Sequence, residues 1–133
     1  MTFDDFLNQG WSDHANDAAK VWERLPEGLA LISSDADLGP LAHLAQHVAG
    51  EHLGRWQDGR AFLEKLIRHP RFDAVTPSGK TDYRSLAVLA RAEGDLVSAE
   101  SFEKQSQAGG DVPPVSDKVR ILAQTASALA GQR

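Results

Sequence analysis

Apolar residues recur along this chain at intervals of three and four, which lays a stripe down one side of an α-helix, and no segment alternates as a strand does. Thr2 is placed to cap a short helix carrying Phe3, Phe6 and Leu7, with Gly10 as its stop. A second helix is expected from Ser12 or Asp13 to Leu25, burying Ala15, Ala18, Ala19, Trp22 and Leu25. Pro26 and Gly28 interrupt it, and residues 29–32 leave room for one more turn. A polar linker at 33–39 leads to Pro40, which suits the first turn of a helix running to Leu53. Gly54 ends that helix, and residues 56–68 form its antiparallel partner. Pro70, Pro77 and Gly79 mark 69–80 as a second linker. Thr81 or Asp82 then caps a helix through Ala92, Gly94-Asp95 turns the chain, and 96–108 returns. Beyond a break at 109–114, Ser116 or Asp117 opens a last helix with Val119, Leu122, Ala123, Ala126 and Leu129 on one face. The pattern predicts an all-α chain of about seven helices, six of them in three hairpins.

A longer period overlies the helical one. Ala19, Gly59 and Ala99 lie 40 residues apart, as do Trp22, Phe62 and Phe102, and Gly54-Arg55-Trp56 is echoed by Gly94-Asp95-Leu96. A small residue lets two helix backbones approach, and an aromatic three positions later fills the groove beside it. The run Leu53-Gly54-Arg55-Trp56-Gln57-Asp58-Gly59-Arg60-Ala61-Phe62-Leu63-Glu64-Lys65-Leu66-Ile67-Arg68-His69-Pro70 resembles the second half of a tetratricopeptide repeat. Leu86-Ala87, Ala90, Gly94-Asp95, Ala99 and Phe102-Glu103-Lys104 follow the same pattern. The period of 40 exceeds the family's 34, with the excess placed in the two linkers. Gln46 and His47 stand where that pattern prefers Leu and a small residue.

The resemblance implies a single domain, a right-handed solenoid of antiparallel hairpins. Residues 1–35 would be a degenerate first repeat, 40–70 the second, 81–108 the third, and 115–131 a capping helix. It further implies a concave surface lined by the first helix of each hairpin, where such proteins hold a helix or an extended peptide. Leu44, Val48, Glu51 and His52 match groove positions in one helix, and Arg84, Val88 and Arg91 in the next. The last three share a face by their spacing alone, and two arginines flanking a valine suit an acidic protein or peptide. An ordinary solvated face, paired with local acids such as Asp82 and Glu93, is the plainer alternative.

Composition and charge narrow the chemistry. Of 133 residues, 41% are hydrophobic and 25% charged, which fits a globular chain. Nineteen acids against fourteen Lys and Arg give a net charge of -5, and there is no basic cluster to hold nucleic acid. Without cysteine there is no disulfide, thiolate nucleophile or sulfur-ligated zinc. Neither a signal peptide nor a membrane-length apolar run is present, and a cytoplasmic location with no membrane partner is expected.

His43, His47 and Glu51 fall at i, i+4 and i+8, the spacing at which helical side chains could share a metal. On an α-helical wheel His52 points into the apolar arc with Leu41, Leu44 and Val48, and His43 and His47 sit at its rim. Residues bordering an interface are the plainer alternative for this cluster. Ser78-Gly79-Lys80-Thr81 resembles the end of a phosphate-binding loop, but Ala74 replaces its first glycine and no strand leads into it. No nucleophile elbow occurs, and the paired carboxylates lie in polar contexts. The leading expectation is therefore a non-enzymatic interaction module, an adaptor or small chaperone-like protein with no cofactor. A self-assembling, homo-oligomeric subunit is the alternative, and a histidine-cluster metal sensor or enzyme is the more remote one.

Overall fold

The structure, a computed structural model, describes residues 1–107. Six α-helices and one π-helical turn make up its regular structure, with no strand among the described residues. They are α1 (Phe3–Asp13), α2 (Ala18–Ala30), α3 (Asp35–Gln46), the π turn (His47–His52), α4 (Trp56–Leu66), α5 (Pro77–Glu93) and α6 (Leu96–Gln107). The helix expected at 115–131 lies outside the described residues.

Helix starts are set by side-chain oxygens. Thr2 accepts from the Asp5 N–H, and the Asp5 carboxylate accepts in return from the Thr2 N–H, a reciprocal cap on α1. Gly10 does not stop α1. It is buried where α1 crosses α3, against Leu44, and the helix runs on to Asp13. The second helix accordingly starts at Ala18, capped by Asp17 accepting from the Lys20 N–H, instead of at Ser12 or Asp13. That shift turns Ala15 and Ala19 to solvent and makes Val21 and Leu25 the buried residues. Pro26 lies inside α2 and does not end it.

The expected linker at 33–39 is largely helical. The Asp37 carboxylate accepts from the backbone N–H groups of Ser33 (2.9 Å) and Ser34 (3.3 Å), starting α3 at Asp35 and leaving Pro40 in its interior. Next to the proline, a side chain from α5 enters the helix ladder. The Ser78 hydroxyl accepts from the Gly39 N–H and donates to the Asp35 carbonyl, both at 2.7 Å. Residues 35 and 39 would otherwise bond to each other, so Ser78 fills an opened i→i−4 link. Thr76 caps α5 by accepting from the Gly79 N–H at 3.0 Å. The segment resembling a phosphate loop is thus the first turn of α5, with the helix starting at Pro77 instead of Thr81.

Helices pack on chain neighbours and across one intervening element. α1 lies on α2 and α3, α2 on α3 and the π turn, α3 on α4 and α5, α4 on α5, and α5 on α6. Leu25, Leu38, Leu41, Leu44, Val48, Leu63, Leu66, Leu86 and Leu89 have no exposed surface and join these layers into one core. Fully burying each such side chain contributes about 1.5–3 kcal/mol. Gly59 is buried in α4 facing Ala49 and Leu89, and Ala99 is buried in α6, so two of the three small residues act as the period implied. Arg60 ties α4 to the α5–α6 turn, reaching Asp95 at 2.9 Å and Glu93 at 3.6 Å, with its guanidinium 5.7 Å from the Phe102 ring centre. Gly94 makes that turn with φ +89°, a conformation open to glycine and strained for other residues.

Candidate functional site

The chemically richest group of side chains gathers where the end of α1 meets the π turn. His14 follows the last residue of α1, and the α1–α3 crossing at Gly10 and Leu44 holds that end against the start of the π turn. His47 and His52 are the first and last residues of the π turn itself. In an α-helix, residues five apart point about 140° away from one another. The wider π turn, in which the Leu53 N–H bonds to the Val48 carbonyl at 3.1 Å, brings positions 47 and 52 to the same side.

The three imidazoles meet closely. His47 and His52 bring their Nε2 atoms to 3.0 Å, with ring centres 4.7 Å apart. His14 lies 4.9 Å from each of the other two, ring centre to ring centre. Trp11 backs the group, its ring 5.2 Å from His14, 5.2 Å from His43 and 5.3 Å from His47. His47 Nδ1 is hydrogen-bonded to the Glu51 carboxylate, and His14 Nδ1 to the Trp11 carbonyl. Each of these acceptors takes a hydrogen bond from a proton on Nδ1, which leaves a lone pair on Nε2 of His14 and on Nε2 of His47, the latter within hydrogen-bond distance of His52 Nε2. His14 and His47 are half-buried and His52 is exposed.

Of the trio expected from sequence, His43, His47 and Glu51, the structure keeps His47 and Glu51 in contact through that hydrogen bond, and His43 is exposed against Trp11. His52 does not enter the apolar arc, because the π turn rotates it away from Leu41, Leu44 and Val48. His14 could not be found by spacing, since it comes from another helix. The departure of Gln46-His47 from the repeat pattern does fall where the π turn begins and was the available signal.

Leu44 and Val48 are fully buried in the core and offer no surface to a partner, a correction to their expected place in a groove. α1 crosses directly over α3 at Gly10 and Leu44, which covers that side of the helix. Glu51 and His52 are exposed, at the histidine cluster. On α5 the expected row is intact: Arg84 and Arg91 are exposed and Val88 is 42% exposed between them. Arg91 already holds one carboxylate, that of Glu103 on α6. Asp82, on the same helix, faces inward. It is fully buried, neither carboxylate oxygen has a hydrogen-bond partner, and burial, helped by the charge of Asp35, pushes its pKa up to about 8. It therefore does not balance the arginines.

No helix among the described residues is long and apolar enough to cross a membrane. Comparison with protein-family models, with curated proteins and with solved structures found no match to this chain.

Proposed function

We propose that this chain is a protein-interaction module, a tetratricopeptide-like right-handed stack of helical hairpins whose working face is the row Arg84, Val88 and Arg91 on α5. The observation that carries the reading is the state of that row: two exposed arginines one turn either side of a half-exposed valine, on a helix whose opposite side is locked into the core. The packing of α5 on α3, α4 and α6 supports the rest, because such a stack presents surfaces on rigid elements and loses little entropy on binding.

The occupant is an acidic peptide segment with an apolar residue between two carboxylates. Positions 84 and 91 are about 10 Å apart along the helix axis. Carboxylates three residues apart in a polyproline-II segment share one side and span about 9 Å, and carboxylates seven apart on a partner helix span about 10 Å. The pairing of Arg91 with Glu103 within the chain is a local example of the contact. Selection from a random peptide display library tests the reading. A consensus of two acids flanking an apolar residue, lost on Arg84→Glu/Arg91→Glu with helicity retained, is expected. A neutral consensus, or one indifferent to the double substitution, would remove this face from consideration.

A further inference from the structure

The geometry points to a second site: His14, His47 and His52 form a binding site for a single zinc ion, with a fourth coordination position open to solvent. Nothing in the peptide-binding reading calls for this cluster, and it lies on other elements than the α5 row.

The donor set fits. One nitrogen from each ring can be chosen so that all three lie within 4.8 Å of one another. Nitrogen donors about 2.0–2.1 Å from a tetrahedral zinc stand about 3.3 Å apart. The Nε2 atoms of His47 and His52, at 3.0 Å, are already near that spacing. The 4.8 Å limit exceeds that spacing by about 1.5 Å, and the half-buried His14 and His47 and the exposed His52 have to turn inward to close it.

The outer contacts are those a zinc-binding histidine needs. A ligating imidazole works best when its other nitrogen donates to a carboxylate or carbonyl, which fixes the tautomer and raises the basicity of the free nitrogen. Glu51 does this for His47 and the Trp11 carbonyl does it for His14. Glu51 is thus a positioning residue for His47, and Trp11 packs beside His14 and His47. Three nitrogen donors without thiolates or several oxygens favour zinc and its transition-metal neighbours over magnesium and calcium. The π turn supplies what an α-helix could not, two imidazoles five residues apart facing one point. Three protein ligands are fewer than a closed structural site takes, so the fourth position holds water or an exchangeable ligand.

The test uses the full chain without an affinity tag, stripped with chelator and titrated with Zn²⁺ against a chromophoric competitor, and separately with Co²⁺ for its visible spectrum. One Zn²⁺ per chain with Kd at or below about 1 μM, and the intense absorption of four-coordinate Co²⁺, are expected. His14→Ala, His47→Ala and His52→Gln should each weaken Zn²⁺ by about tenfold or more, and Glu51→Gln by about tenfold. His43→Ala, His69→Ala and Arg84→Glu/Arg91→Glu should leave affinity unchanged, the last separating this site from the peptide face. Because His52 is exposed, His52→Gln keeps the fold, and far-UV circular dichroism verifies it. Absence of stoichiometric Zn²⁺ binding below about 100 μM, or equal losses from His43→Ala and His52→Gln, would overturn the site.

Discussion

Two side chains at the α4–α6 boundary show how much a single residue can carry. Phe102 is half-buried, stacked on Tyr83 at 6.3 Å and covered by the Arg60 guanidinium. A fully buried phenylalanine loses about 3–5 kcal/mol on truncation. With one side of the ring facing a cation and solvent, Phe102→Ala is expected to cost about 1.5–3 kcal/mol in urea denaturation. Asp95 is the second. Hydrogen bonds from Ser98, and then from Arg60, hold its carboxyl down at about 2. A carboxyl whose pKa is lowered in the folded chain stabilises it above the ordinary carboxylate range. That contribution disappears as pH falls from about 4 towards 2. Asp95→Asn should flatten the acid limb of the stability–pH curve in that window, and an unchanged limb would show that the pairing contributes nothing.

Asp82 behaves in the opposite sense. Its folded-state carboxyl is raised to about 8, so its neutral form is the one the core accepts. Stability linked to this residue is complete below about pH 4 and is lost as pH rises through about 8. Asp82→Asn should gain several kcal/mol on the wild type between pH 4 and pH 8, read from chemical denaturation at the two pH values. No sequence signal marked Asp82 as buried. Pro70, Pro77 and Gly79 mark 69–80 as a linker and so make Asp82 look like a cap or a surface acid, whereas the start of α5 at Pro77 places it inside the helix, where it is buried.

At the level of elements, apolar periodicity made the helices legible and their ends were misread wherever a tertiary contact replaced a local signal. Gly10, Pro26 and Pro40 each read as a boundary, yet all three lie inside helices. Gly10 is required by the approach of Leu44, which a single sequence cannot reveal. Beside Pro40, Ser78, nearly 40 residues away, bridges the opened backbone link between Gly39 and Asp35. Ser78→Ala should therefore leave the Gly39 N–H and the Asp35 carbonyl unpaired in a partly buried place and cost about 1–3 kcal/mol. Ser78→Thr, which keeps the hydroxyl, should recover part of it. A neutral Ser78→Ala would mean that α3 does not depend on α5 at this point. The π turn is the deepest departure from sequence reasoning, since a helical wheel drawn at 100° per residue places His52 on the wrong side. The histidines were visible as a local cluster in the sequence. Their actual third member, His14, was not.

For the molecule as a whole, the all-α class followed directly from the absence of alternating segments and the recurrence of stripes three and four residues apart. Helices pack both on their chain neighbours and across one intervening element, α3 on α5 most extensively, and the small residues Gly59 and Ala99 are buried as the 40-residue period required, whereas Ala19 is exposed. The period fails there because α1 runs past Gly10 and pushes the start of α2 back to Ala18. Two of the seven expected groove residues, Leu44 and Val48, disappear into the core, which concentrates the proposed partner contact on α5. The zinc site and the peptide face then lie on different elements and are separable by substitution.

A charge-swap binding measurement tests the peptide face most directly. The acidic consensus peptide and its copy with both acids replaced by lysine are titrated against the wild type and against Arg84→Glu/Arg91→Glu. The account predicts that the wild type binds only the acidic peptide and that the double variant reverses the preference, at moderate ionic strength where exposed charges still act. If both proteins bind both peptides alike, Arg84 and Arg91 are an ordinary solvated face and the proposed function is wrong.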